Sequence, residues 1–398
     1  MLSPLPDRSK PDNCPGVLIP HPAADGGLVR VRLPGGQVTA GQWQALLDAA
    51  VEFGDGALEL TSRGNVQLRG VAPGAEAELG ARLAELLPSR THEKVRNILA
   101  SPLSGVAGGL ADVRRLPRAL DRSLQLNARL AELSGRFLFA IDDGRGDVSA
   151  LGADVAVLAT GPDEFVLVLG GEPTGQRMRS AAVSATMVLA ALAFLTEREA
   201  QGSKAWRLAE LRDGAARVAD RLTLRPSIVS IVHAVTPPVS VPGGGGPGLV
   251  GRIARNDGRE ALGLLAPLGR FQASQAPTGH DLIVTPWRGL IIPDLEPGTA
   301  VQHGLIDDPE SPWIGVTSCA GQPGCAKALS DVRGDAAVAH QGIPGGLPVH
   351  WSGCGRRCGT PAGPHVEVLA TDAGYEINGV GAVELAADIT AARRVAGQ

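Results

Sequence analysis

Apolar and polar residues alternate from Gly27 to Leu33 (GLVRVRL), with the period of two that a half-buried strand requires. From Thr39 to Phe53 the apolar positions recur three and four residues apart, which predicts an amphipathic helix. Ala57 to Leu68 (ALELTSRGNVQL) returns to strand spacing on both sides of a turn at Arg63-Gly64. The same succession recurs late in the chain: a strand over Leu262 to Leu268, a short helical stretch, and a hairpin over Asp281 to Ile292 (DLIVTPWRGLII) that turns at Arg288-Gly289. A second echo pairs Val155 to Thr160 (VAVLAT) with Val366 to Thr371 (VEVLAT), each followed by an aromatic residue, Phe165 or Tyr375. These repeats predict a duplicated α+β chain.

Between the copies lies Thr236 to Gly248 (TPPVSVPGGGGPG), a linker by composition. Its glycines do not follow an apolar strand or open a helix, so they do not make a nucleotide loop. The expected units are 1–85, 86–235, the linker 236–248, 249–305 and 306–398. Duplication of this kind predicts a pseudo-twofold body with its ligand at the internal interface. The most apolar segment, Ala181 to Leu195, is short and Ala-rich and is followed by Glu197, Arg198 and Glu199, so it reads as a buried helix rather than a membrane span.

The 398 residues, 44% of them apolar, suffice for several well-buried cores. A net charge of −4 gives no basic face for nucleic acid. The opening MLSPLPDRSKPDNCPG lacks the apolar core of a signal peptide, and a soluble cytoplasmic protein without nucleic-acid or membrane partners is expected. Five cysteines in such a protein argue against disulfides. Cys14 stands alone, and no role is assigned to it. The other four make two pairs, Cys319-Ala-Gly-Gln-Pro-Gly-Cys325 and Cys354-Gly-Arg-Arg-Cys358. Gly and Pro turns let a backbone wrap an inorganic cube and aim N–H groups at its sulfides. Zinc competes, but its loops favour C-x2-4-C spacing, narrower than the first pair. One [4Fe-4S] cluster on Cys319, Cys325, Cys354 and Cys358 is the expected centre.

The C-x5-C and C-x3-C pairs in the last unit of a duplicated chain resemble the sulfite/nitrite reductase superfamily. Thr61-Ser-Arg-Gly-Asn-Val-Gln-Leu68 resembles its T-T-R-[GQ]-x-[IVF]-Q hairpin, and Val95-Arg-Asn97, followed by Pro102 and Gly105, resembles its V-R-N segment. The resemblance implies two ferredoxin-like half domains (1–85 and 249–305), a first α/β domain (86–235) and an iron-sulfur domain (306–398). Leu133-Ser-Gly-Arg-Phe137 resembles the stretch that carries two active-site lysines, L-P-R-K-F-K, but Arg136 and Leu138 stand at the lysine positions. Without those ammonium groups, reduction of sulfite or nitrite loses charge stabilisation. The opening Cys14-Pro-Gly, the run Asp25-Gly-Gly-Leu-Val-Arg-Val-Arg32 and Asp142-Asp143-Gly144 resemble instead the precorrin-3B synthase branch, as does the length.

That branch implies an oxygen-dependent monooxygenase of aerobic cobalamin biosynthesis that hydroxylates precorrin-3A and closes a lactone. Its expected partners are this tetrapyrrole, molecular oxygen and an electron donor such as NADH through a reductase or ferredoxin. Acetates and propionates on the tetrapyrrole rim call for arginines, whose planar forks pair with carboxylates. The resemblance points to Arg63, Arg96 and Arg136 as catalytic and to Arg63, Asn65, Gln67, Arg96, Asn97 and Arg288 as substrate-binding, with Arg30, Arg32 and Arg69 as weaker candidates. For each arginine the competing reading is a solvated surface charge. The branch also suggests a mononuclear non-haem iron, for which His21, His92, His350, His365, Asp142 and Asp143 are conceivable ligands without a recognisable spacing. Two alternatives stay open: a sirohaem-dependent assimilatory sulfite or nitrite reductase, in which Cys358 by position would bridge cluster and haem, and a non-catalytic iron-sulfur redox protein.

Overall fold

The computed structural model describes residue 8 and residues 12–223, 249–340, 343–361 and 363–394, so the Pro/Gly stretch 236–248 lies outside it. The first unit contains β1 (His21–Ala23), β2 (Gly26–Val31), β3 (Gln37–Val38), α1 (Ala40–Phe53), β4 (Ala57–Leu60), β5 (Val66–Val71) and α2 (Glu76–Arg82). Helix α1 starts at a capping box. The Thr39 hydroxyl accepts from Gln42 N at 3.3 Å, and the Gln42 side chain accepts from Thr39 N at 3.1 Å, satisfying amides that a helix start leaves free. The β4–β5 hairpin turns at Gly64, whose φ of 60° is the left-handed conformation glycine adopts at no steric cost.

The second unit contains β6 (Ile98–Ala100), α3 (Leu116–Gln125), β7 (Phe139–Asp142), β8 (Val155–Gly161), β9 (Glu164–Leu169), β10 (Glu172–Met178), α4 (Ser180–Ala200) and α5 (Gly214–Thr223). The third has β11 (Gly251–Ala254), β12 (Glu260–Leu265), β13 (Arg270–Gln272), β14 (Leu282–Val284) and β15 (Gly289–Leu295). The fourth has β16 (Val316–Ser318), α6 (Val332–Ala339), β17 (Val349–Ser352), β18 (Val366–Thr371), β19 (Gly374–Ile377), β20 (Val380–Gly381) and α7 (Leu385–Arg394).

The duplication is visible in the four five-stranded sheets. Two have the orders β1-β2-β5-β4-β13 and β11-β12-β15-β14-β3, antiparallel throughout. Each takes its last strand from the other copy: Phe271 of β13 pairs with Leu58, and Leu282 of β14 pairs with Val38. The two units therefore bury one common core, in which Trp43, Leu58 and Leu68 pack with Leu264, Phe271 and Leu290. The other two sheets, β6-β7-β8-β9-β10 and β16-β17-β18-β19-β20, share one pattern: the first three strands are parallel and the last two antiparallel. The two VLAT echoes are the third strands, β8 and β18.

The copies differ where turn formers intervene. The helical stretch expected after the strand of the second copy is only a pair of 3-10 turns, Pro267–Gly269 and Ala273–Gln275. The strand itself stops at Leu265 rather than Leu268, because Pro267 cannot donate to a ladder and Leu268 is left-handed (φ 55°). Helix α4 is long and apolar enough to cross a membrane by composition. Here it lies in the core of the second unit, burying Val183, Met187, Ala190, Ala191, Phe194 and Leu195.

Candidate metal centre and arginine cluster

Strands β16 and β17 lie side by side and parallel, and each delivers one cysteine pair from its C-terminal end. Cys319 follows Ser318 directly, and its amide donates to Trp351 O at 2.9 Å. The first loop folds tightly: Gly321 is left-handed, the Gln322–Pro323 bond is cis, and Cys325 N donates to Gly321 O at 2.8 Å. Two bonds stitch it to the second loop. Leu329 N donates to Gly353 O at 2.7 Å, and Gly353 N donates to Cys319 Sγ at 3.1 Å. Glycine is needed at 353 because a Cβ there would stand 2.9 Å from Ala328 Cβ and 3.5 Å from Cys319 Sγ.

Burial raises the Cys358 thiol pKa; Arg356 counters this, while Cys319, Cys354 and Cys325 raise it further, so the four sulfurs are electrostatic neighbours. Among the described residues, Asp142, Asp143 and Asp147 are the only three Cys, His, Asp or Glu side chains whose ligand atoms lie within 4.8 Å of one another. No three cysteine sulfurs approach that closely. One tetrahedral zinc would hold its thiolates about 3.8 Å apart, closer together than any three of these sulfurs stand. Ser318 and Ser352, which end the two strands, each bury a hydroxyl that has no partner among the described residues. A sulfur-rich acceptor would relieve such orphaned donors. His350 braces the second loop, its Nδ1 2.8 Å from Thr317 Oγ1 and its Nε2 3.2 Å from Cys358 O. Burial, then the charge of Arg288, lowers its pKa to about 4 and keeps it neutral. These histidine bonds make it a brace and not a free ligand.

The residues expected to bind substrate divide into separate places. Arg30 lies in β2 and Arg32 directly follows its last residue, two positions on and so on the same side of the extended chain. Arg32 donates from Nε to Asn97 Oδ1 at 3.1 Å and from NH1 to Pro15 O at 3.0 Å. Its NH2 and the Arg30 Nε are buried without a partner among the described residues. Arg63 donates to Gly135 O at 3.1 Å, sharing that carbonyl with Asn97 Nδ2 at 2.9 Å. Asn65 Nδ2 reaches Asn97 Oδ1 at 3.4 Å, and Gln67 Oε1 accepts from Arg30 at 3.3 Å. Arg63, Asn65, Gln67 and Asn97 thus meet around Arg30 and Arg32. Burial first, then Arg30, lowers the Arg32 pKa to about 9. Burial, then Arg207 and Arg30, lowers that of Arg63 to about 10. Among the described residues no carboxylate hydrogen-bonds to Arg30, Arg32 or Arg63, and Glu93 and Asp154 act on Arg32 and Arg63 only as nearby charges. Asp12 reaches the cluster from the N-terminal segment, but its oxygens accept from Ser134 Oγ, Gly135 N and Cys14 N.

Arg96, Arg288 and the acidic group lie elsewhere, whereas the charge of Arg136 reaches Arg30. Arg96 is committed to Asp121 through Nε at 2.6 Å and NH2 at 2.9 Å, and to Leu86 O through NH1. Arg136 is exposed beside the Trp206 ring, 5.5 Å from its centroid. Leu138, at the second lysine position, is packed with Leu99 and Ala140. Arg288, left-handed at φ 60°, reaches the loop after Cys358: a Cβ on Gly359 would stand 3.4 Å from its NH2. Its NH1 is buried and unpartnered among the described residues. Asp142, Asp143 and Asp147 are close enough to share an ion, but their oxygens already accept bonds. Asp142 takes the amides of Gly144, Gly146, Val148 and Ser149, Asp143 takes Arg145, and Asp147 takes Ser101 Oγ at 2.6 Å. His92 is held by Ser89, Thr91 and Asn127 O. The alternation GLVRVRL already marked Arg30 and Arg32 as two cations on one strand face opposite two buried valines.

Comparison with known proteins finds relatives of the chain and of its fold. Residues 20–86 match the nitrite/sulfite reductase ferredoxin-like half domain. Over 386 residues the chain is 27% identical to a precorrin-3B synthase of Sinorhizobium sp, covering 91% of this chain and 81% of that protein. It is 33% identical to a ferredoxin–nitrite reductase of Synechococcus elongatus over 144 residues, 34% of this chain and 28% of that one. The NirA protein of Mycobacterium tuberculosis shares the fold, with a TM-score of 0.66 at 18% identity over 88% of this chain and 74% of that one.

Proposed function

We propose that the chain, which is similar to nitrite and sulfite reductases and to a precorrin-3B synthase, is an iron-sulfur oxidoreductase acting on a carboxylate-rich tetrapyrrole, as a precorrin-3B synthase. The reaction is the oxygen-dependent hydroxylation of precorrin-3A with lactone closure to precorrin-3B. One observation carries the choice of substrate: Arg30, Arg32 and Arg63 crowd together, and Arg30 Nε and Arg32 NH2 are buried without a partner among the described residues. Like charges brought out of water oppose folding unless an anion joins them, and a rim of acetates and propionates offers several. Neutral Gln67 and Asn97 accept from Arg30 and Arg32 without neutralising them, and Asn65 donates to Asn97.

Cys319, Cys325, Cys354 and Cys358 would hold a [4Fe-4S] cluster. Such a cluster supplies electrons singly, which oxygen's spin-restricted reaction with a closed-shell organic molecule demands. The chain's own residues orient the substrate: Arg30, Arg32 and Arg63 grip carboxylates, and Arg288 lies between the third unit and the cysteine loop. A separate mononuclear non-haem iron would need free ligands, and the carboxylate group Asp142, Asp143 and Asp147 has its oxygens engaged. The sirohaem-reductase reading finds less support, since apolar packing occupies the second lysine position at Leu138.

The test is to supply anaerobically loaded protein with precorrin-3A, a reductant and then oxygen, and to follow the product by mass spectrometry. Incorporation of one atom from labelled oxygen is expected. Strong haem absorption in the purified protein, with sulfite or nitrite reduced and precorrin-3A untouched, would sink the proposal.

A further inference from the structure

Arg69 lies on β5, behind the hairpin that carries Arg63, and is 5% exposed. Its guanidinium does not join the arginine cluster. Nε and NH2 grip Asp25, in the β1–β2 turn, at 2.8 and 3.1 Å, while NH2 also donates to Gly324 O at 2.6 Å. Gly324 immediately precedes Cys325. A Cβ on Gly324 would lie 3.0 Å from Arg69 NH2, 3.1 Å from Asp25 Oδ2 and 3.2 Å from Arg69 Nε, so the ligand loop is seated directly on the ion pair. A second tie runs beside it: Arg333, early in α6, donates to Glu59 of β4 at 2.6 Å, and Arg270 donates to the same oxygen at 3.2 Å. The chain from Cys325 to Arg333 is thus pinned at both ends by charged groups of the first sheet.

We infer that Arg69 and Asp25 form a clamp from the first half of the chain that positions the Cys325 loop and sets the charge felt by its sulfur. The inference rests on the reading of the four cysteines as cluster ligands. Arg69 is a positioning residue and touches no reacting atom. Its bond to a carbonyl is of the charge-assisted kind, and a peptide next to a ligand cannot tilt without moving that ligand. Asp25 fixes the direction of the fork, which a lysine could not reproduce while reaching both partners.

The experiment uses the full chain as wild type, Arg69→Met, Asp25→Asn and the double variant. In iron-free protein, Arg69→Met should speed hydrogen exchange of residues 319–330 by roughly tenfold, the order of a lost charge-assisted bond. In loaded protein the same variant should release iron to a chelator roughly tenfold faster. Its cluster midpoint potential should fall, because the Asp25 carboxylate is left uncompensated beside the loop. The double variant should recover the potential but not the iron retention, separating charge from position. Folded Arg69→Met with wild-type exchange across 319–330 would overturn the inference. If Arg69→Met does not fold, Asp25→Asn decides, with faster exchange expected and unchanged exchange fatal. A wild-type chain that takes up no iron and sulfide would count against the cluster ligands, while the iron-free exchange comparison would still judge the clamp.

Discussion

Arg63 and Arg96 occupy similar positions in the sequence pattern, yet the same substitution should move stability in opposite directions. Arg63 is half-buried, and its pKa is lowered to about 10. Against an ordinary value near ~12.5, that corresponds to roughly 3 kcal/mol spent on keeping the charge, discounted to about 2 for its remaining exposure. Methionine would forfeit the bond to Gly135 O, about 1 kcal/mol, but that carbonyl keeps Asn97 as a donor. The net expectation for ligand-free Arg63→Met is a gain of about 1 kcal/mol. Arg96→Met removes both donors that hold Asp121, which is 8% exposed, and the donor to Leu86 O. Breaking a buried pair from one side costs roughly 3–5 kcal/mol. Urea denaturation of the two variants reads the difference directly. Adding an octacarboxylic porphyrin should then stabilise wild type and Arg96→Met but not Arg63→Met, since only Arg63 belongs to the anion site. If Arg63→Met lost 2 kcal/mol or more, or Arg96→Met proved neutral, the division into a functional and a structural arginine would be wrong.

Cys325→Ser should yield a folded chain without cluster iron and sulfide, and an intact content in that variant would remove it from the ligand set. Gly353→Ala, which forces a methyl against Ala328 and towards Cys319 Sγ, should weaken cluster retention with little loss of secondary structure; unchanged iron content after dialysis against a chelator would contradict the tight-loop argument. Burial, and then the charges of Asp142 and Asp143, raise the Asp147 pKa from 3.8 to about 7 against the bond from Ser101. The folded chain holds that proton more tightly than the unfolded one, so the stability it contributes is complete below pH 3.8 and lost as pH rises through about 7. Asp147→Asn should therefore flatten the decline over that window, by at most about 4 kcal/mol, and a melting profile as steep as wild type would refute the assignment.

The period-two runs, the capped helix and both hairpins could be read from the sequence because each depends on neighbours within a few residues. Thr39 and Gln42 make a box across three residues, and Gly64 answers a local steric demand. The strand exchange could not be read that way: β3 has only two residues, and its partner is Leu282 and Ile283, far along the chain. The four cysteines could be singled out since thiolate pairs on Gly/Pro loops are rare by chance, whereas the arginines were not separable. Arg32, Arg63, Arg69 and Arg96 all follow apolar or turn residues in the sequence. What distinguishes them is the partner supplied by distant chain: Asp121 for Arg96, Asp25 and Gly324 for Arg69, and no carboxylate for Arg32.

Matching registers show how the two halves differ at the proposed metal centre. Ser318 aligns with Trp351 as Ala100 aligns with Ile141, so Cys319 corresponds to Ser101, and the loop of Cys354 and Cys358 corresponds to the loop from Asp142 to Ser149. In the second half those two loop ends present sulfur, and the Ser318 and Ser352 hydroxyls have no partner among the described residues. In the first half the same space is closed by the protein itself: Ser101 Oγ donates to Asp147, Asp143 N donates to Ser101 Oγ, and Asp142 gathers four amides. Side chains satisfy one loop pair internally, whereas the other presents four cysteines. Duplication therefore supplied two equivalent strand ends. On the proposed reading, cysteines in place of short hydrogen-bonding side chains convert one of them from a self-satisfied turn into a site that is complete only when filled.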